Sequence, residues 1–278
     1  EEVEEGRHYL PGTATGRRET IVTSPVDARP QYLLILPDWS FLPLIAGAGT
    51  AVFFLFLTVK MLVPAAIGGI IALGAMFRWM WENDRGAFHA PVDVGDGIKL
   101  PVYASGPLTT SWWAMVVLML VDATVFASLV FSYFYLWTVN ETWPPPGTTL
   151  PPGAGAIGAA AGWALSSALL VAAGRLLAPA RRGWLTATMT GWIVLMLAAS
   201  GADLWSWHDA GARPSEHAYG AVVYAVLAWQ GLHVAALLIM AGYTVARSWC
   251  GLLDATRRVT FDNTRLFWHY MVAQGLAG

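Results

Sequence analysis

Residues 100–140 read LPVYASGPLTTSWWAMVVLMLVDATVFASLVFSYFYLWTVN, and Asp122 is the only charged side chain in the run. A helix rises about 1.5 Å per residue and the hydrocarbon core of a bilayer is roughly 30 Å thick, so about twenty apolar residues cross it. This stretch is long enough and apolar enough to do so. A carboxylate near the bilayer centre costs roughly 2.5–3.5 kcal/mol even on the gentler insertion scales, so Asp122 needs a partner, a proton or a purpose. Proton handling and a polar contact with another helix are the two readings open to it.

Outward from this run the chain keeps the same character. Of its 278 residues, 56% are hydrophobic and 12% charged, against about 25% charged in a soluble domain. Fifteen tryptophans suit a chain with many rings at a membrane interface. The formal net charge of −2 gives no reason to expect nucleic acid as a partner. A single cysteine, Cys250, excludes an internal disulfide and any multi-cysteine metal site.

Apolar runs between polar punctuation predict spans near 41–61, 64–81, 109–138, 154–178, 183–207, 217–247 and 262–278. The fold class is therefore an all-α membrane protein with seven transmembrane helices. The long polar interval after the second span suggests a split bundle, helices 1–2 apart from helices 3–7. The segments expected are a polar tail (1–40), a two-helix hairpin turning at Lys60–Pro64 (41–82), a linker (83–108) and a five-helix bundle (109–278). Only about 20 Å of apolar helix follows Leu266, so the last helix is expected to be truncated. With Glu1 in place of Met, the chain reads as a piece of a longer polypeptide.

Basic residues give an orientation. Arg7, Arg17, Arg18 and Arg29 precede span one; Arg78, Arg85 and Lys99 follow span two. Arg175, Arg181 and Arg182 follow span four, and Arg247, Arg257, Arg258 and Arg265 follow span six. The other face keeps Lys60 and Arg213. The positive-inside rule places the N-terminus in the cytoplasm and the C-terminus outside.

Three clusters carry chemistry. Ser111-Trp112-Trp113-Ala114-Met115 leads into Asp122 and Phe131-Ser132-Tyr133-Phe134; the Trp pair alone is explained by an interfacial belt, whereas the acid is not. His217-Ala218-Tyr219-Gly220 opens span six, and Trp229-Gln230-Gly231-Leu232-His233-Val234 lies deep within it. His217 and His233 stand more than about 20 Å apart along a helix and cannot share a metal. A hydrogen bond to a neighbour is the simpler role for His233. Phe261-Asp262 and Phe267-Trp268-His269-Tyr270 enter the last span, where Asp262 reads as a helix cap.

Taken in order, these clusters resemble subunit III of the haem–copper terminal oxidases. That family opens a helix with Trp-Trp-Gly-Met before an embedded acid and has a Trp-Pro-Pro loop, matched here by Trp143-Pro144-Pro145. Its sixth helix carries His-Ala-Tyr-Gly and Gly-Leu-His-Val; its last has Phe-Glu and then Tyr-Trp-His. The resemblance runs from Ser105 to the C-terminus. Departures are visible. The span-three acid, usually Glu, is Asp122; a His before Gly-Leu-His is Gln230; and an acid after Trp-His is Val272. The acid late in the fifth helix is matched more weakly by Asp203. At the front, Gly6-Arg7-His8-Tyr9-Leu10-Pro11-Gly12, Gly16-Arg17-Arg18-Glu19-Thr20 and Thr23-Ser24-Pro25 look like the tail of oxidase subunit I, as in fused subunit I–III chains.

The resemblance implies the non-redox portion of an aerobic oxidase in a bacterial cytoplasmic membrane. It implies haems and copper in the partner subunits I and II, none bound by this chain, and cytochrome c (or quinol) as donor through other subunits. Phospholipid is expected in the cleft between helices 1–2 and 3–7, which could also guide oxygen. Asp122, Asp203 and His233 become the proton-related or buried polar candidates, with Asp122 protonated by burial. Trp112, Trp113, His217, Tyr219, Arg265, Trp268 and His269 become the lipid or interface candidates. His8, His89 and His208 fall in polar segments or at span ends. Rival readings are an independent proton channel or transporter, a quinol oxidase subunit III, and a nitric oxide reductase accessory subunit. No inverted repeat supports the transporter.

Overall fold

The computed structural model describes residues 13–83, 90–178, 181–211 and 213–277. The Gly6–Gly12 motif with His8, and also His89 and Arg85, lie outside the described residues. Two compact units divide the chain between Tyr103 and Ala104.

The first unit contains structure that composition did not announce. In the segment expected to be a plain tail, β1 (Glu19–Thr23) pairs antiparallel with β2 (Pro30–Ile35), with Ile21 opposite Leu33. In the linker, β3 (Val92–Asp93) pairs with β4 (Lys99–Leu100). The Leu33 amide donates to the Pro101 carbonyl at 2.9 Å, joining the two hairpins. Tyr32, Leu33 and Leu100 are buried there as a miniature core. Strands this short give little period-two signal, so the hairpins are held by tertiary pairing.

Helices α1 (Leu42–Thr58) and α2 (Leu62–Asn83) follow β2 as the expected hairpin. Lys60 takes a left-handed conformation (φ 60°) at the turn, and its amide donates to the Leu57 carbonyl. That arrangement satisfies carbonyls left open at the end of α1. The two helices touch backbone to backbone. A Cβ added at Gly49 would sit 2.7 Å from the Ala72 nitrogen, and one at Gly68 would sit 2.7 Å from the Phe53 nitrogen.

The second unit is a five-helix bundle of α3 (Thr110–Val139), α4 (Gly153–Gly174), α5 (Arg182–Asp209), α6 (Ala218–Trp249) and α7 (Val259–Ala277). Thr109 caps α3 by accepting from the Trp112 amide at 3.1 Å, and His217 Nδ1 caps α6 by accepting from the Gly220 amide at 3.0 Å. The core is built from Trp163 and Leu170, Met189 and Trp192, Leu237 and Ala241, and Phe261, Trp268 and Met271. α3 packs on α6 and α7 while α4 packs on α5 and α7, so the consecutive helices α3 and α4 are not a packed pair.

Helices α2 to α6 are long and apolar enough to cross a membrane. α1 is apolar but only 17 residues long, at the lower limit for a span. α7 begins at Val259, three residues ahead of the span expected, and has 19 residues. Asp262, Asn263, Thr264 and Gln274 are all buried inside the bundle.

Candidate functional site

Asp122 lies midway along α3, and its carboxylate faces α6 and α7. Oδ1 is 2.9 Å from His233 Nε2 on α6. Oδ2 accepts from the Tyr270 hydroxyl at 2.7 Å and from Gln274 Nε2 at 2.9 Å, both on α7. Gln274 Nε2 also reaches the Tyr270 oxygen at 2.6 Å. Tyr270 and Gln274 are four residues apart, so one helix face presents both. The acid thus has the inter-helix partner that the cost of burying it demanded.

His233 completes the arrangement. Its ring is 4% exposed, and Nδ1 lies 2.7 Å from the Trp229 carbonyl one turn earlier. A carbonyl only accepts, so Nδ1 carries a hydrogen. A neutral imidazole has one N–H, which leaves Nε2 as an acceptor. The 2.9 Å contact with Asp122 therefore holds one proton, either on the acid or on the ring. In both states the pair is neutral overall, which suits a low-dielectric setting. Of the two readings open to Asp122, the geometry supplies the polar contact with another helix.

Asp203 does not join this group. It lies in the last third of α5 and lines a cavity of about 360 Å³ together with Tyr133, Trp163, Trp207, Tyr219 and Gln230. At the end of that cavity where α6 begins, several aromatic rings meet. Tyr219 packs against Trp143 (5.2 Å between ring centroids), Tyr133 (6.3 Å), Trp207 (6.4 Å) and His217 (6.2 Å). The Trp-Pro-Pro loop and the start of α6 are neighbours for this reason.

A second polar group gathers where α7 begins. Arg258 grips Asp262 with two hydrogen bonds of 2.8 Å, and Arg265 Nη2 stands 3.7 Å from the same carboxylate. The hydrogen bonds to Asp262 push the Arg258 pKa further up, outweighing partial burial. Asp262 therefore acts as an ion-pair partner in the first helical turn, not as the cap its position suggested. Asn263 Nδ2 donates to Ser111 Oγ at 2.8 Å and ties α7 to the start of α3. An open cavity beside them is lined by Trp112, Arg258, Asp262, Arg265 and His269. Two guanidiniums and one carboxylate leave this cavity cationic, a chemistry suited to anionic headgroups.

The interface candidates separate into two sets. Trp113 is half-exposed and donates from Nε1 to the Pro107 carbonyl at 2.9 Å; Trp112, Arg265 and His269 line the cationic cavity. Trp268 is not interfacial: it is fully buried and meets Trp192 edge-on at 5.6 Å. Tyr219 is buried as well, and His217 is used as a helix cap. Rings flanked by polar residues look interfacial in sequence, but here the polar flanks also point into the bundle. Tyr270, Gln274 and Arg258 were the functional-looking residues not foreseen. The i, i+4 spacing of Tyr270 and Gln274 was the available signal. No protein-family model matches the chain, and no curated protein matches its sequence.

Proposed function

We propose that this multi-pass membrane chain is the non-redox, subunit III portion of an aerobic haem–copper terminal oxidase. The observation that carries the reading is the polar knot of Asp122, His233, Tyr270 and Gln274. It joins the three helices that bear the oxidase-like motifs, and it centres on the embedded acid. In this reading the partners are oxidase subunits I and II, which hold the haems and copper, together with membrane phospholipid. Electrons from cytochrome c reach the complex through those other subunits, and oxygen is reduced to water outside this chain. The membrane is a bacterial cytoplasmic membrane, with the N-terminus inside and the C-terminus outside.

Within such a complex the knot acts as a structural clamp and a one-proton buffer. The proton shared by Asp122 and His233 can shift over 2.9 Å without creating net charge in the bundle. The cationic cavity of Arg258, Arg265, Trp112 and His269 supports phospholipid binding where α3 and α7 begin. A second reading, an independent proton channel or transporter, draws on the second embedded acid, Asp203, facing its own cavity.

A reduced-minus-oxidised visible spectrum of the native complex that carries this chain decides between them. Haem bands that co-purify in fixed ratio, with turnover on reduced cytochrome c, are the expected result. Haem bands with turnover on quinol alone would move the chain to a quinol oxidase. A well-assembled complex without haem would overturn the oxidase reading in favour of the transporter.

A further inference from the structure

The cavity holding Asp203 lies among the helices of the α3–α7 bundle, is open on one side, and is lined by none of the residues of the Asp122 knot. Along α6 it runs from Tyr219 to Gln230, a length of about 16 Å at the helical rise. Its volume of about 360 Å³ falls within the range of small-molecule sites, roughly 300–1,000 Å³. A short rod of that length and volume matches one hydrocarbon chain better than a compact solute. Its walls agree: Val222, Val223, Val226 and Leu227 on α6 face Ala156 and Ala160 on α4.

Three polar groups on these walls lack protein partners. Gln230 is 9% exposed and makes no side-chain hydrogen bond among the described residues. The Trp163 ring is 3% exposed, and its indole N–H has no acceptor. The Asp203 carboxylate likewise has no hydrogen bond or ion pair among the described residues; only its backbone carbonyl is used, by Ser206. Buried polar groups are ordinarily paired, so unpaired ones that converge on a cavity signal a missing ligand. A side chain on Gly275 would collide with Trp163 at 2.2 Å and with Gln230 at 2.6 Å, so the close approach of α7 closes the deep end. An opening exists because α3 and α4 are not packed together; Val130 and Phe134 on α3 and Ala156 and Ala160 on α4 line that side.

We propose that this cavity binds one single-chain amphiphile with an uncharged, hydroxyl- or carbonyl-bearing head, admitted from the membrane between α3 and α4. Gln230 can donate to and accept from such a head, Trp163 can donate, and Asp203 can accept from a hydroxyl. An anionic head is disfavoured, because among the described residues the cavity walls carry no cation to meet it and Asp203 is itself an acid. The inference stands independently of the oxidase reading.

The test uses native membranes that contain the protein and a diazirine-tagged monododecanoylglycerol. After photolysis, labelled peptides are mapped by mass spectrometry. Saturable labelling on the Val222–Leu227 and Ala156–Ala160 segments is expected. Untagged monododecanoylglycerol should displace it; dodecanoate should not. Ala160→Phe places a ring in the opening and should cause a several-fold loss of this labelling, while labelling of α1 and α2 by a tagged phospholipid stays unchanged. Gln230→Leu keeps the walls intact and should weaken displacement by the glyceride, which guards against a misfolded Ala160→Phe. In Asp203→Asn, dodecanoate should begin to compete. Labelling that does not saturate, that survives both Ala160→Phe and Gln230→Leu, or that dodecanoate displaces equally in the unmodified protein would overturn the proposal.

Discussion

The α1–α2 hairpin and the α3–α6–α7 group solve one problem in opposite ways. Helices in lipid gain little from hydrophobic association, because the tails outside are as apolar as the side chains inside. The hairpin relies on surface fit: Gly49 and Gly68 let the two backbones approach until a Cβ would clash at 2.7 Å. The other group relies on directed polar bonds, with Asp122 hydrogen-bonded to two helices at once. Close backbone packing tolerates no added volume, whereas a polar knot tolerates no lost partner. Each has its own way to fail.

The largest effect is expected at the glycine contact. In Gly49→Leu the new side chain meets the Ala72 nitrogen and the Gly68 carbonyl, and neither backbone atom can rotate away. The cost should lie at or above the ~3 kcal/mol upper end of ordinary overpacking. Spin labels at the exposed positions Leu44 and Met80, which lie at the same end of the hairpin, should report widened separation. An unchanged distance would show that the helices slide past each other instead of parting.

Next comes the knot. Asp122→Leu leaves His233, Tyr270 and Gln274 facing one another without their shared partner, at about 1–3 kcal/mol for an unsatisfied group. Asp122→Asn keeps the shape and an acceptor oxygen, so its cost should be smaller. A cycle pairing Asp122→Asn with Tyr270→Phe should give a coupling near 0.6 and at most ~1.7 kcal/mol, the range for inter-helix hydrogen bonds in membranes. In the assembled complex, Asp122→Asn should leave the initial rate intact and hasten inactivation during turnover. An immediate drop in rate at full assembly would instead give Asp122 a direct part in proton transfer.

The smallest effect lies outside the helices, in the turn between α6 and α7. Asp254 accepts from the Thr256 amide (2.8 Å), the Arg257 amide (2.9 Å) and Arg257 Nε (2.9 Å). Burial opposes its charge, but these donors and the guanidinium outweigh it and hold the carboxyl below its ordinary 3.8. A lowered folded-state value means the contribution is complete above the unfolded value and is lost as pH falls through the folded one. Amide protection at Thr256 and Arg257, measured against the unfolded-chain exchange rate at each pH, should therefore hold near neutrality and be lost only in acid. Asp254→Asn should remove that acid dependence; a matching acid profile in the variant would assign it to other groups.

Much of this architecture was readable because hydropathy acts locally. A run such as 109–138 declares a span whatever its neighbours do, and all seven helices fall where the runs lie. The two short hairpins were not readable, since Leu33 and Pro101 meet only after distant segments pair. α7 was readable only in part: its buried Asp262, Asn263 and Gln274 look like loop or interface residues until their partners are known.

The same division holds for the site. Sequence alone determined that Asp122 lies in an apolar span and must be compensated, because the energy of a carboxylate in hydrocarbon depends on its surroundings within one helix. It also set His233 deep in α6 by simple counting of residues. Which groups answer the acid was decided by tertiary structure alone. Asp122 and Tyr270 are far apart in the chain, and only the packing of α3 against α6 and α7 brings His233, Tyr270 and Gln274 within hydrogen-bond reach. By the same packing Asp203 was sent to a different cavity and Trp268 into the core. A hydrogen bond needs its two atoms about 3 Å apart, and no local property of either segment encodes that distance.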